Sequence, residues 1–203
     1  MRNRYFFKAL FIALMLTIAQ SGFVMAEVTL PSPKVEITST IDEIVNTVES
    51  LPAESQVTQR REQLRTIINP KFDFAKMAQL SLGSHWNEIT PDERTEFVTI
   101  FSNLLAKTYL SKIETVKRGM VSIETESLDS ETKKAIVKTL VTNKGDTFPI
   151  DYRLSAESGG WKVYDVVIEN IGLVVNYRNE FAGIIRKEKF SGLLQKLKDK
   201  SAS

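Results

Sequence analysis

Apolar and polar residues follow two different periods along this chain, and the change of period divides it into regions. From residue 38 to 118, apolar residues recur every three or four positions, which is typical of amphipathic helices. From 119 to 169 they recur at every second position, which is typical of strands with one buried face. Helical spacing returns from 172 to 200. The pattern predicts helices, then a sheet, then closing helices.

The first region contains three short helices whose ends the sequence marks. Residues 40–43 (TIDE) fit a capping box, which predicts that the first helix begins there and leaves the preceding TLPSPK as a loose edge. The second helix ends at Asn69-Pro70, because the residue before a proline disfavours the helical conformation. The third runs from Asp73 to Gly83, and glycine commonly follows the end of a helix.

A long fourth helix begins within ITPDERTEF, residues 89–97. Thr90 can act as the N-cap, Pro91 suits the first helical position, and Glu93 can complete a capping box. The apolar residues that follow recur at three and four positions as far as Ile113. They predict a wide apolar stripe on one face of this helix.

Four strands are predicted in the second region: VSIETESL, KAIVKTLVTN, DTFPIDYRLS and WKVYDVVIE. Short turns rich in Asp, Ser, Lys and Gly separate them, so the strands should form an antiparallel meander. A bend is expected at Asn170-Ile171-Gly172, before the closing helices. The predicted fold class is α+β, with a curved antiparallel sheet of about four strands packed with helices. Periodicity alone does not distinguish a filled core from a hollow one.

The first 26 residues have the pattern of a secretory signal peptide. Arg2, Arg4 and Lys8 precede an apolar run, and Val24 to Ala26 place small residues where signal peptidase cleaves. The alternative is an uncleaved anchor, since residues 9–26 carry no charge. We expect residues 1–26 to be removed and residues 27–203 to form a single domain exported to the periplasm.

Charge and composition exclude several classes of function. Without the leader, Lys plus Arg falls from 27 to 24 against 25 Asp plus Glu, so the mature chain is close to neutral. Nucleic-acid binding needs clustered cations and gains no support. The chain has no cysteine, which excludes disulfides, thiol catalysis and an N-terminal lipidated Cys. His85 is the single histidine and the carboxylates are scattered, so no metal site is predicted.

Several segments together resemble the MlaC family, also called toluene-tolerance auxiliary proteins. The resemblance covers roughly residues 60–198 and is carried, in order, by FDFAKMAQLSLGSHWNEITPDERTEFVTIFSNLLAKTYL, DYRL and GGWKVYDVVIENIGLVVNYRNEFAGIIRK. Its most specific features are the LGxxW turn at Leu82 to Trp86, the TPxER helix start, the pair Thr108-Tyr109, and WKVYDV followed by NYR and a Phe.

The resemblance implies an NTF2-like or cystatin-like fold around an apolar cavity that holds phospholipid. It implies a monomeric periplasmic carrier that shuttles glycerophospholipid between an outer-membrane lipoprotein complex and an inner-membrane ABC transporter with its MCE protein. It implies neither an enzyme nor a cofactor, since the bound phospholipid is the cargo.

The family pattern also implies which residues line the cavity. On the helical wall they are Phe101, Leu105 and Tyr109. On the sheet they are Phe148, Ile150, Tyr152, Val163, Val166 and Ile168, and at the mouth or closing helix Leu173 and Tyr177. Two departures from the family are Asn170 in the bend and Val116, where an aromatic residue is often found. Without the resemblance, each lining residue would be an ordinary core residue.

Two other classes of function stay open at this point. On a simple alternation Asp165 shares a strand face with Trp161 and Val163, and a carboxylate in an apolar pocket can serve as a general base in an enzyme. A structural adaptor would instead use charged surfaces such as Lys117-Arg118 or residues 186–189 (RKEK) to bind other proteins.

Overall fold

The computed structural model describes residues 30–202. The predicted signal peptide, residues 1–26, lies outside the described residues. In chain order the helices and strands are α1 Pro33–Ser50, α2 Val57–Ile68, α3 Phe74–Leu82, α4 Pro91–Ile113, β1 Val121–Asp129, β2 Lys134–Asn143, β3 Asp146–Glu157, β4 Gly160–Ile168, β5 Ile171–Gly172 and α5 Leu173–Ala202. No helix within residues 30–202 is both long enough and apolar enough to cross a bilayer.

The first helix, α1, begins at Pro33 rather than at Thr40. Thr40 lies inside the helix, where its hydroxyl donates a 2.8 Å hydrogen bond to the carbonyl of Glu36. The predicted capping box is therefore wrong. Pro33 occupies the first turn, a position where its fixed φ suits the helix and its missing N–H leaves no helical hydrogen bond unmade.

The segment before α1 is held against the sheet instead of forming a loose edge. The Ser32 hydroxyl and the Lys34 backbone N–H both donate to Oε2 of Glu126 in β1, at 2.6 and 2.5 Å. The indole N–H of Trp161 donates to the carbonyl of Pro31 at 2.8 Å. A carboxylate from a distant strand thus supplies the N-terminal cap that local sequence lacks.

The predicted ends of α2, α3 and α4 are confirmed. The Asp73 carboxylate accepts from the N–H of Lys76 at 2.9 Å and caps α3, which ends at Gly83 with φ of 58°. Thr90 and Glu93 form the predicted box, in which the Thr90 N–H donates to Glu93 Oε2 at 2.8 Å and the Glu93 N–H donates to Thr90 Oγ1 at 3.3 Å.

The five strands form one antiparallel meander in the order β1-β2-β3-β4-β5. The first four are the predicted strands, and the fifth is only two residues long. Glu169 and Asn170 turn the chain with φ of 49° and 69°, as a two-residue hairpin loop with positive φ at both positions requires. Ile171 and Gly172, predicted to lie in the bend, instead pair with the end of β4.

A bulge in β4 changes which side chains face the helices. The register of β4 against β3 shifts between Val163 and Asp165, so Tyr164 is an extra residue. Val163 and Val166 therefore lie on the same face, while Asp165 lies on the other. The predicted alternation, which placed Asp165 beside Val163, is wrong because one extra residue reverses every later side chain.

Buried apolar residues form two clusters. The helical core joins α3, α4 and α5 and includes the fully buried rings of Phe97, Phe101 and Phe181. The sheet core joins α1 to the inner face of the sheet around Val137 and Leu154. The structure confirms the α+β class, with helices packed on a curved antiparallel sheet.

The last helix, α5, is interrupted at Lys189, whose φ of 62° and ψ of 179° are not helical. This break separates the two closing helical segments that the sequence predicts. In the second segment, Leu193 and Leu197 are buried against the helical core, as expected from their spacing.

Candidate functional site

An apolar cavity of about 620 Å³ lies between the two clusters of buried residues. Helices α1, α2, α3 and α4 form one wall and the inner face of the sheet forms the other. A space of this size lies within the range of ligand cavities. It is too large to be a packing defect, because protein interiors leave few voids larger than one water molecule.

The sheet wall is built from alternate residues of β3 and from both sides of the β4 bulge. Consecutive strand residues point to opposite faces, so every second residue of β3 reaches the cavity. Because of the bulge, β4 presents odd-numbered residues before Tyr164 and even-numbered residues after it. The side chains concerned are Phe148, Ile150, Tyr152, Leu154, Trp161, Val163, Val166 and Ile168.

The helical wall comes from α4 together with α1, α2 and α3. Leu105 and Tyr109 stand one turn apart on α4. In the sequence, nothing separates the α1 and α2 residues from ordinary core residues, although the three- and four-residue spacing in α1 marks one apolar face. These additional lining residues are Ile37, Ile41, Ile44 and Ile68.

The cavity brings together all of the sequence-predicted lining residues except Phe101 and Tyr177. Those two lie in the helical core, where their rings meet edge to face with centroids 5.1 Å apart. Helix α5 covers this part of α4, so Phe101 packs beneath it instead of reaching the cavity one turn away. Leu173, at the start of α5, lines the cavity, and so does Val116.

Two phenols, those of Tyr109 and Tyr152, stand among the apolar residues of the cavity lining. Burial raises the pKa of Tyr152 to about 12, and it raises the pKa of Tyr109 as well. Both hydroxyls are therefore protonated at neutral pH. Neither phenol therefore places a charge against hydrocarbon in the cavity.

Charged and exposed side chains border the cavity where it reaches the surface. Exposed lining residues include Asn69, Lys112, Thr115, Asn143 and Glu169. Lys71 is paired with Glu36, with 2.6 Å between Nζ and Oε1. The ammonium of Lys112 lies 5.7 Å from the centre of the Tyr109 ring. The site thus combines an apolar interior with a polar border, an arrangement that suits an amphiphile.

Asp165 lies outside the cavity and has a structural role. Its carboxylate is almost fully buried and accepts hydrogen bonds from the backbone N–H of Val174 at 3.0 Å and from Arg153 Nη1 at 3.2 Å. A Cβ on Gly172 would come within 3.0 Å of this carboxylate, so the absence of a side chain at Gly172 leaves room for the Asp165 carboxylate. Asp165 therefore joins the start of α5 to β4. It does not line the apolar cavity, where the enzyme hypothesis would require a base.

Metal ligands are not clustered in the part of the chain that the structure describes, where no three His, Cys, Asp or Glu side chains converge. His85 lies in the 3₁₀ turn Gly83–Asn87, and its Nδ1 is 2.8 Å from Oε2 of Glu88.

A family model described as MlaC protein matches residues 38–199. The chain belongs to the MlaC family. Among curated relatives, the intermembrane phospholipid transport system binding protein MlaC of Haemophilus influenzae is 21% identical over 179 residues, which are 84% of this chain and 83% of the relative. The toluene tolerance protein ttg2D of Pseudomonas putida is 20% identical over 127 residues, which are 62% of this chain and 59% of the relative.

A solved structure shares the fold. It is the phospholipid-binding protein of Ralstonia solanacearum in complex with a phospholipid, with a TM-score of 0.76 and 26% identity, and the match covers 85% of this chain and 98% of that one. The resemblance to the MlaC family and the predicted fold class are both confirmed.

The MlaC-like motifs fall into two groups. Tyr109 of the Thr-Tyr pair and Trp161, Val163 and Val166 of WKVYDV line the cavity, whereas the LGxxW turn and Arg178 of NYR lie outside it. Trp86 of the LGxxW turn accepts a 3.0 Å hydrogen bond at its carbonyl from Nε of Arg94, whose guanidinium lies 5.2 Å from the Trp86 ring centre. Arg178 of the NYR motif donates from Nε to the carbonyl of Leu80 at 2.7 Å. These residues fix the helices that shape the cavity, and they do not line it.

Proposed function

We propose that this protein carries a glycerophospholipid through the periplasm, with the acyl chains in the apolar cavity. Its partners would be an outer-membrane lipoprotein complex and an inner-membrane ABC transporter with its MCE protein. The observation that carries the proposal is the 620 Å³ cavity with its apolar lining, in a chain of the MlaC family. Support comes from the Ralstonia solanacearum relative of the same fold, which was solved with a phospholipid.

The energetics of acyl chains explain why a carrier needs such a cavity. Each methylene moved from water into an apolar surrounding contributes about 0.8 kcal/mol, so two chains of roughly 16 carbons cost about 25 kcal/mol to expose to water. Apolar contacts have little directional preference. The lining can therefore accept chains of differing length and unsaturation.

In this proposal the acyl chains contact the predicted residues that line the cavity. On the helical side and at the start of α5 these are Leu105, Tyr109 and Leu173. On the sheet they are Phe148, Ile150, Tyr152, Val163, Val166 and Ile168. Phe101 and Tyr177 act indirectly, because they pack α4 against α5 and so hold the helical wall in place.

Delivery between two membranes requires weak and reversible contact with each partner, which exposed charges favour. Arg186 and Lys187 are exposed on α5 beside the break at Lys189 and suit such contact. Arg118 is less suited, because its guanidinium already bonds Glu49 and Asn46 at 2.8 Å.

Native mass spectrometry of the mature protein from a periplasmic extract, followed by organic extraction, tests the proposal directly. We expect a chain that begins at Glu27 and a mass excess equal to one or more diacyl phospholipids. A protein mass without excess, persisting after incubation with phospholipid vesicles, would contradict the proposal. Recovery of the uncleaved chain in the membrane fraction would contradict the assigned location.

The substitution Val166→Glu tests whether the cavity lining holds the lipid. Val166 is 8% exposed and faces the cavity, so a carboxylate there would oppose the hydrocarbon and reduce retained lipid by about tenfold or more. The control is Val175→Glu, which makes the same change at a residue that is 48% exposed and does not line the cavity. We expect the control to retain lipid as the wild type does. Equal retention by both variants would remove the cavity from the mechanism.

A further inference from the structure

A second cleft, of about 330 Å³, adjoins the apolar cavity between α2 and α4. In contrast to the cavity, its lining is polar and basic and includes no carboxylate. The lining residues are Arg61, Arg65, Asn103, Lys107, Leu110 and Ser111.

Two residues, Arg65 and Leu110, border both the cavity and the cleft. The two spaces therefore meet at these side chains. A ligand with hydrocarbon chains in the cavity and an anionic end would reach a basic surface at this boundary without leaving the protein.

Arg65 is the cation at this boundary that has no anionic partner among residues 30–202. It is partly buried and has no ion pair, side-chain hydrogen bond or ring contact with the described residues. The two other cations that line the cavity, Lys71 and Lys112, contact Glu36 and the Tyr109 ring respectively.

The guanidinium of the neighbouring Arg61 already forms an ion pair with Glu114. Its Nε and Nη2 both donate to Oε2 of Glu114 at 3.0 Å. Lys107 donates one hydrogen bond to the carbonyl of Lys200 at 2.9 Å, and an ammonium has three N–H donors in all.

We propose that Arg65 binds the phosphate of the carried phospholipid in the cleft between α2 and α4, a step that rests on the proposed function. A guanidinium offers two parallel N–H groups that match two phosphate oxygens, and its partly buried position strengthens the contact. Lys107, Asn103 and Ser111 add donors around the same space. The phosphodiester is therefore recognised as a chemical group, whatever alcohol it carries.

The consequence is selection for phosphate-bearing lipids over neutral lipids with the same chains. Phosphatidylglycerol and the diacylglycerol with identical acyl chains differ only in the phosphoglycerol group. For the delipidated wild type, we expect phosphatidylglycerol to bind about 10- to 100-fold more tightly, the range for one charge-assisted hydrogen-bonded contact. We expect Arg65→Gln to lose most of this difference while its affinity for diacylglycerol stays unchanged.

The matched control is Lys138→Gln, which removes one positive charge from an exposed residue of β2 outside both spaces. It should discriminate between the two lipids as the wild type does. Arg65→Lys keeps the charge but loses the paired N–H groups, so its discrimination should lie between those of the wild type and Arg65→Gln.

Three results would overturn the inference. If Arg65→Gln discriminates as well as Lys138→Gln, the phosphate lies elsewhere while the carrier function stands. If the wild type binds neither lipid, the proposed function itself fails. If inorganic phosphate binds the wild type in an Arg65-dependent manner without competing with phosphatidylglycerol, the cleft is a site for a free anion and not for the lipid phosphate.

Discussion

The helical core and the cavity are both built from apolar residues, yet one is filled and the other is hollow. In the helical core, aromatic rings from α4 and α5 interlock, with centroids 5.1 to 5.9 Å apart among Phe97, Phe101, Tyr177, Phe181 and Phe190. Around the cavity, aliphatic side chains and the rings of Tyr109, Phe148, Tyr152 and Trp161 project from walls that do not meet. The distance between the packed elements, and not the size of the side chains, therefore separates the filled core from the cavity.

Polar contacts also join the elements around the cavity at its edges. Glu114, after the end of α4, bonds Arg60 at 3.1 Å and Arg61 at 3.0 Å, both on α2. Glu126 of β1 caps α1. The comparison indicates that ring packing stabilises the helical core and that charge-assisted contacts add stability to the side that contains the cavity.

Removing an aromatic ring gives the largest expected effect and tests this comparison most directly. Phe181→Ala removes a fully buried ring from the helical core and should lower the free energy of unfolding by about 3–5 kcal/mol. Phe148→Ala, the same change in the cavity wall, should cost the lipid-free protein less than about 2 kcal/mol, because part of that ring already faces empty space. Urea unfolding of both delipidated variants measures the difference. Equal losses would mean that the cavity wall is packed as tightly as the core.

Removing the charge of Glu114 should produce a smaller loss that depends on pH. Burial raises the pKa of this carboxyl, but hydrogen bonds and charge attraction from Arg61 and Arg60 outweigh burial, and the net pKa lies below the usual 4.5. A lowered folded-state pKa contributes stability that is present above about pH 4.5 and is lost as pH falls through the folded value. We expect Glu114→Gln to cost about 1–3 kcal/mol at pH 7.

The difference between Glu114→Gln and the wild type should shrink as pH falls from about 5 to about 3. Unfolding free energies measured across that range check the prediction. The control is Glu88→Gln, which removes a carboxylate that is 64% exposed and lies outside the α2–α4 contact. A constant difference between Glu114→Gln and the wild type at all pH values would show that the ion pairs do not stabilise the hollow side.

Loss of a helix cap is the smallest expected effect. Thr90→Ala removes the N-cap of α4, the helix shared by the core and the cavity, and should cost about 1 kcal/mol. Lipid retention should not change, because Thr90 lies outside the cavity. Thermal unfolding with and without bound lipid measures the loss of stability. The control is Thr95→Ala, because Thr95 lies on the same helix and does not cap it. A loss of lipid retention in Thr90→Ala would mean that the position of α4, and not the cavity lining, limits binding.

The sequence by itself determined the local features of this protein. The start of α4 follows from Thr90, Pro91 and Glu93, which lie within one helical turn. The shared face of Phe148, Ile150 and Tyr152 follows from the alternation of side chains in β3. Such features depend on neighbours close in the chain, and those neighbours are visible in the sequence.

Tertiary structure decided what depends on distant contacts. The start of α1 depends on Glu126, which lies far along the chain in β1. The face occupied by Asp165 depends on a bulge in the pairing of β4 with β3. Whether an apolar stripe borders a filled core or a cavity depends on which elements pack against it. Phe101 packs against Tyr177 of α5, while Leu105, one turn later, lines the cavity. Periodicity records which side of an element avoids water, and only the packing of the elements sets the distance between two such sides.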